Sequence, residues 1–174
     1  FSGNEVWFYD TRRFGTLTLV DNEELYFQRK KIAPDPFHDA KRALAWFLDR
    51  MQKTAKPAKA ALLDQGIVAG VGNIYADEAL HRTGIHPRTP AGKIIDLKKL
   101  WSEIIGLLER SIELGGSTVR NYMNASGEAG SFASELLVYG RTGEKCLSCR
   151  GGKIERIVLA GRSTHFCPAC QPQR

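Results

Sequence analysis

The sequence predicts an α+β chain of several units, and three observations carry that prediction. β-Branched and aromatic residues crowd residues 5–10 and 16–20, which reads as strands. Apolar residues recur at helical spacing from residue 38 to residue 114, and all four cysteines fall within the last thirty residues as two C-x-x-C pairs. Strands, then helices, then a metal-stapled hairpin separate along the chain, as α+β architectures do. With 174 residues and 43% hydrophobic content, the chain can bury one moderate core beside a small metal-held one.

Residues 5–10, Glu-Val-Trp-Phe-Tyr-Asp, and 16–20, Thr-Leu-Thr-Leu-Val, flank Thr11-Arg12-Arg13-Phe14-Gly15, which is too long for a two-residue hairpin turn. Two strands do not make a stable sheet by themselves. They pack on the later part of the chain, or they end a sheet whose earlier strands lie elsewhere. Residues 32–37 form a linker punctuated by Pro34 and Pro36, each of which pushes the residue before it out of helical geometry.

Helices come after the linker. Residues 38–51 place Ala40, Leu44, Trp46, Phe47 and Met51 near one face, with Asp35 as the expected cap. A short apolar helix over residues 59–65 ends at Gly66, and another over residues 73–81 ends near Gly84. Residues 96–114 carry Leu97, Leu100, Trp101, Ile104, Ile105, Leu108 and Ile112 on one stripe, stopped by Gly115-Gly116. Residues 117–132 are rich in glycine and serine without a period and read as a long loop, the kind that carries function. From Leu136 the pattern is strand, knuckle, strand, knuckle.

The cysteines are Cys146, Cys149, Cys167 and Cys170, with seventeen residues between the pairs. Two thiolates on each of two facing knuckles supply the tetrahedral sulfur set that Zn2+ prefers in a closed structural site. Two disulfides are the competing reading. It is disfavoured because cysteines in a C-x-x-C rarely form a relaxed structural bridge and no secretory segment accompanies them. Thiolate–zinc chemistry favours a reducing compartment, hence the cytoplasm. No apolar run approaches membrane-spanning length, so no membrane partner is expected. From residue 141 onward seven cations face only Glu144 and Glu155, a formal +5 of the chain's +6. A basic, metal-held hairpin has the charge of a phosphate-backbone binder; a solvated face or an acidic protein partner is the bland alternative.

The turn Gly66-Ile-Val-Ala-Gly-Val-Gly-Asn73 is the second informative place. Glycines ahead of a helix start leave exposed N–H groups that suit an anion, although the same glycines serve a tightly packed turn equally well. His38, His81, His86 and His165 show no ligand spacing and read as structural or phosphate-side.

Lys59-Ala-Ala-Leu-Leu-Asp-Gln65, Ala69-Gly-Val-Gly-Asn-Ile-Tyr-Ala-Asp-Glu-Ala-Leu80 and Gly84-Ile-His-Pro87 resemble the helix-two-turns-helix of the bacterial formamidopyrimidine-DNA glycosylase family. Val138-Tyr-Gly-Arg141, the cysteine pairs, Ala160-Gly-Arg-Ser-Thr-His-Phe-Cys167 and Cys170-Gln171 resemble that family's zinc finger, and Asp10-Thr-Arg-Arg-Phe-Gly15 its lesion-inserted loop. The related endonuclease VIII enzymes fit the Arg-Arg-Phe loop less well. The resemblance implies the end of a catalytic β-sandwich over residues 1–34. It implies a helix-two-turns-helix domain with a lesion-recognition loop over 35–135 and a C-terminal β-hairpin zinc finger over 136–174.

By the same resemblance, Asn73 and Lys59 grip phosphates beside the damaged nucleotide. Arg162, in the hairpin turn, contacts phosphates and takes a catalytic part in the second strand cleavage. Phe14 is the wedge, Arg12 reaches the orphaned base and Arg13 supports the backbone. Ser117, Val119, Arg120, Asn121 and Tyr122 match the loop that closes over an everted 8-oxoguanine. The implied activity is base-excision repair, removing oxidised purines and cutting the abasic site by β,δ-elimination. The partner is double-stranded DNA with an oxidised base or abasic site, bound by a monomer in the bacterial nucleoid.

Two departures stand out. The cysteine pairs are one residue further apart than is usual in the family, with Arg150 as the extra residue. The family's amino-terminal proline nucleophile, the glutamate after it and an assisting lysine have no match here, and the chain starts at Phe1 rather than Met. The expectation is therefore a C-terminal portion of a longer enzyme that binds DNA and zinc and is inactive alone. A non-catalytic, zinc-containing nucleic-acid binding module is the alternative, and a metal-stapled protein-interaction domain a third reading. The Arg12-Arg13-Phe14 loop argues against the binding module, which needs no intercalating wedge, and the protein-interaction reading predicts no salt-dependent DNA affinity.

Overall fold

The computed structural model describes residues 8, 10, 15–116, 131–149 and 151–173. The chain divides into two compact units, residues 1–30 and residues 31–174.

In the first unit residues 16–20 form no strand, and Leu17 and Leu19 are exposed. The alternation there was expected to mark a strand, but among the described residues no partner strand supplies a ladder, and an unpaired strand does not hold. The other expected strand, residues 5–10, falls almost wholly outside the described residues. A helix the apolar pattern did not announce, α1 (Glu23–Lys30), comes next. Its signal lies in its ends: Asn22 Oδ1 accepts from Leu25 N at 2.9 Å, Glu23 and Glu24 sit in the first turn, and Arg29 and Lys30 in the last.

Among the described residues, the second unit is built on four α-helices. The first, α2 (Ala40–Gln52), is capped by Asp39, whose side chain accepts from Arg42 N. Asp35, the expected cap, instead turns the linker by accepting from Phe37 N and His38 N. The short apolar segment is helical only over α3 (Ala58–Leu62), just after Pro57, and α4 (Asn73–Arg82) and α5 (Leu97–Glu113, capped by Asp96) come after it as expected. Phe47 and Met51 of α2, Leu62 of α3, Leu80 of α4 and Leu100 and Ile104 of α5 meet in one core, with Phe47 against Trp101 at 5.1 Å between ring centres.

Beyond α5, Ser131 N donates to Leu114 O at 3.0 Å and a bidentate Arg110–Glu135 ion pair lies beside it. Residue 131 is thereby brought back to the end of α5, and Phe132 enters the core. Residues 117–130 lie outside the described residues.

The tail differs from its expected order. No strand forms at Leu136; residues 136–149 are turns and bends, with an isolated bridge from Lys145 to Lys153. Both strands lie between the cysteine pairs, β1 (Glu155–Leu159) antiparallel to β2 (Arg162–Phe166) with Leu159 opposite Arg162. Ala160 and Gly161 connect them with positive φ, 50° and 69°, which suits a two-residue hairpin turn. The reason no strand forms at Leu136 is Glu78 of α4, fully buried. It accepts from Leu137 N, Val138 N and Tyr139 N, each at 2.9 Å, so these amides are committed to a carboxylate and not to a ladder.

Replacing Glu78 with Leu removes the acceptor for three amides at once. It should cost about 3 kcal/mol or more of unfolding free energy. Urea denaturation checks this; a loss below ~1 kcal/mol would mean the amides find other partners.

Candidate nucleic-acid interface and metal centre

The first turn of α4 lies at the centre of the site. The turn before it is drawn tight by Gln65, whose Nε2 donates to Val71 O at 2.9 Å and whose Oε1 accepts from Gly70 N at 3.0 Å, while Ile67, Val68 and Val71 are buried. Gly70 has φ 81°, a conformation glycine adopts without strain. Gly72 sits in the N-cap position and no side chain caps the helix, so the positive end of the α4 dipole is not answered by the usual side-chain oxygen.

Side chains of α4 then reach into the hairpin. Asn73 Nδ2 donates to Ser163 O at 2.9 Å, and its Oδ1 is buried without a partner. One turn on, Asp77 is 1% exposed and works in two directions. Its Oδ1 accepts from Lys59 Nζ at 2.7 Å, and its Oδ2 accepts from His165 N at 2.9 Å with His165 Nδ1 at 3.1 Å. His165 is packed edge-on against Tyr139, ring centres 4.8 Å apart. Another turn on, His81 lies against Ser148, between the first two cysteines in sequence, and Gln171, directly after the last.

Lys59 was expected to face a phosphate. Its side chain is instead fully buried and its ammonium donates to Asp77 Oδ1 and Asn73 O, both at 2.7 Å. Burial lowers the Lys59 pKa below its ordinary value, against the Asp77 charge and hydrogen bond, which raise it. Arg162 is exposed at the start of β2, directly after the hairpin turn and next to Ser163. Arg156 is exposed on β1, with Nε and Nη2 donating to Ser163 Oγ at 3.1 and 2.7 Å. Asn73 is therefore bonded to the residue after Arg162, and Arg156 to the side chain of that same Ser163. Arg12, Arg13, Phe14, Ser117, Val119, Arg120, Asn121 and Tyr122 lie outside the described residues, as does Arg150.

The four cysteines converge with all sulfurs within 4.8 Å of one another, and no disulfide joins them. Cys146 Sγ to Cys170 Sγ is 3.8 Å and Cys149 Sγ to Cys167 Sγ 3.7 Å. A tetrahedral ion with sulfur bonds of about 2.3 Å gives sulfur–sulfur edges of about 3.8 Å, so this donor set fits such an ion. A hydrogen bond with Cys170, then the Gly151 and Gly152 amides, lower the Cys149 thiol to about 7, while burial pushes Cys167 and Cys170 up. Gly152 leaves the sulfurs room: a Cβ there would stand 2.4 Å from Cys167 Sγ.

The model of the formamidopyrimidine-DNA glycosylase H2TH domain matches residues 32–123, more than half of this sequence. The chain belongs to the formamidopyrimidine-DNA glycosylase family. A second family model, the zinc finger found in FPG and IleRS, matches residues 143–173. The formamidopyrimidine-DNA glycosylase of Lactococcus lactis subsp. cremoris is 42% identical over 175 residues, covering 98% of this chain and 63% of the relative. That of Bacillus licheniformis is 46% identical over 173 residues, covering 97% and 62%. A solved complex between the Lactococcus lactis Fpg and an abasic-site DNA superposes with a TM-score of 0.78 at 43% identity, covering 86% of this chain and 55% of that one. The chain thus spans less than two thirds of the length of these family members.

The sequence did not single out Asp77, Glu78 or Gln171, and gave His81 and His165 only a general structural or phosphate-side part. All five are buried and hydrogen-bonded in family-matched segments or beside them. The available signal was spacing: 73, 77 and 81 fall on one helix face, at i, i+4 and i+8.

Asp77→Ala leaves the Lys59 ammonium buried without its counter-charge and should cost about 3–5 kcal/mol. The paired change Asp77→Leu with Lys59→Met should recover much of that in chemical denaturation. An Asp77→Ala loss within 1 kcal/mol of wild type would contradict a structural ion pair.

Proposed function

We propose that this chain is the DNA-gripping part of a base-excision repair enzyme, a bifunctional DNA glycosylase and AP lyase. Its reaction is excision of oxidised purines such as 8-oxoguanine and formamidopyrimidines, with β,δ-elimination at the abasic site. The observation that carries this reading is the Asn73 Nδ2–Ser163 O hydrogen bond, which joins a helix start without a side-chain cap to the strand that carries Arg162. A bent sugar-phosphate backbone lying there meets N–H groups, a helix dipole and guanidinium charge at once. The DNA-containing relative supports the choice of ligand.

In this proposal Asn73 and Arg162 contact phosphates directly, and Arg162 also serves the second strand cleavage. Lys59 acts from inside, holding the first turn of α4 through Asn73 O, since its ammonium is already engaged. Arg12, Arg13 and Phe14 enter the duplex, and Ser117, Val119, Arg120, Asn121 and Tyr122 close over the everted base. Residues 1–34 belong to a β-sandwich, 35–135 to the helix-two-turns-helix domain and 136–174 to the zinc finger. Zn2+ is the ion held by Cys146, Cys149, Cys167 and Cys170, where it supplies folding energy to a hairpin with little core of its own. The protein works as a monomer in the bacterial cytoplasm, on the nucleoid. Among the described residues no helix is long and apolar enough to cross a membrane.

Arg162→Gln should weaken binding to a duplex carrying a stable abasic-site analogue by about tenfold. It should also flatten the salt dependence by about one counterion. Fluorescence anisotropy across a salt series measures both; an unchanged slope and affinity would remove Arg162 from the interface.

A further inference from the structure

The sulfur cluster is not held by its own loops alone. Gln171, directly after Cys170, is fully buried, and every polar atom of its amide is used. Its Nε2 donates to Ile85 O at 2.8 Å, and its Oε1 accepts from Cys167 N at 3.0 Å. Backbone groups of fixed polarity at both ends settle the amide orientation, so the atom facing His81 Nδ1 at 3.1 Å is an acceptor. The proton of His81 therefore sits on Nδ1. In the neutral ring Nε2 is then an acceptor, and Ser148 Oγ, 2.8 Å away, donates to it.

Ser148 lies inside the first cysteine knuckle, and Cys167 and Gln171 belong to the second. Through a single imidazole, α4 thus touches both halves of the tetrahedron. His81 is 4% exposed, and its ring is 4.0 Å from Cys146 Sγ.

We propose that His81 and Gln171 are positioning residues for the metal: a two-member latch that fixes the spacing of the two knuckles from the helical side and so sets how tightly the ion is retained. This rests on the reading that the four cysteines hold zinc. Outer groups that orient thiolate-bearing loops act on affinity and exchange without touching the ion.

The test is the rate at which zinc passes from the full chain to a chromophoric chelator, together with the charge-transfer band of the cobalt-loaded protein. His81→Phe keeps the ring volume and Gln171→Leu keeps the side-chain bulk, and each removes the hydrogen bonds. Each should release zinc about tenfold faster and shift the thiolate-to-cobalt band. The double variant should be no faster than the quicker single one, because one latch is being opened. His81→Asn, which keeps a donor toward Gln171, should release more slowly than His81→Phe.

Wild-type release rates and an unshifted band in both single variants would overturn the latch, as would rates that simply multiply in the double variant. If the core variants do not fold, Ser148→Ala at its exposed position decides: severalfold faster release supports the latch and the wild-type rate overturns it. Wild-type protein that binds no zinc at all would fail earlier, and would sink the zinc reading along with the latch.

Discussion

One carboxylate, Asp77, holds the two halves of the proposed binding surface together. With one oxygen it neutralises the buried Lys59 ammonium, and with the other it takes the His165 amide of β2. Both side chains are buried, and an unpaired Lys59 or Asp77 would carry a large desolvation cost. Together they fix the register of the hairpin against α4. Asn73 one turn before, Glu78 beside it and His81 one turn after extend the same polar spine onto Ser163, the 137–139 amides and the cysteine knuckles. The metal centre shapes the knuckles, and α4 decides where the hairpin stands.

That division of labour shapes the electrostatics. The tail is strongly basic by composition, while the ammonium at the α4 start, Lys59 on Asn73 O, is buried and compensated by Asp77. The exposed cations of the hairpin are Arg162, next to Ser163 in β2, and Arg156, hydrogen-bonded to Ser163 Oγ. In the proposed reading, a phosphate is held by exposed guanidinium charge on the hairpin and by the N–H groups at the start of α4.

The sequence made the helices legible because α2 and α5 bury one apolar stripe each, and it made the metal centre legible because C-x-x-C pairs have few other uses. The glycine-rich turn was readable as a helix entrance, and Asn73 and Arg162 were singled out through the family resemblance. What escaped was polar. Asp77, Glu78 and His81 look like the solvated face of a short amphipathic helix, and only the hairpin lying over them turns that face into an interior. Leu136 and its neighbours have strand composition, but the three amides after it are taken by Glu78, a contact some sixty residues away that no local pattern carries. Residues 16–20 alternate like a strand and have no ladder partner among the described residues, so propensity had nothing to pair with. α1 escaped for the opposite reason: its signals are a cap and end charges, with no buried residue to create a period.

The central claim is that α4 and the metal hairpin form one cooperative unit. Native-state amide hydrogen exchange of the zinc-loaded chain tests it most directly, at His165 and Tyr139, whose N–H groups end on Asp77 and Glu78. The account predicts that these amides open with the same free energy as those in the middle of α4. Exchange of His165 and Tyr139 through a separate, cheaper opening while α4 stays protected would contradict it.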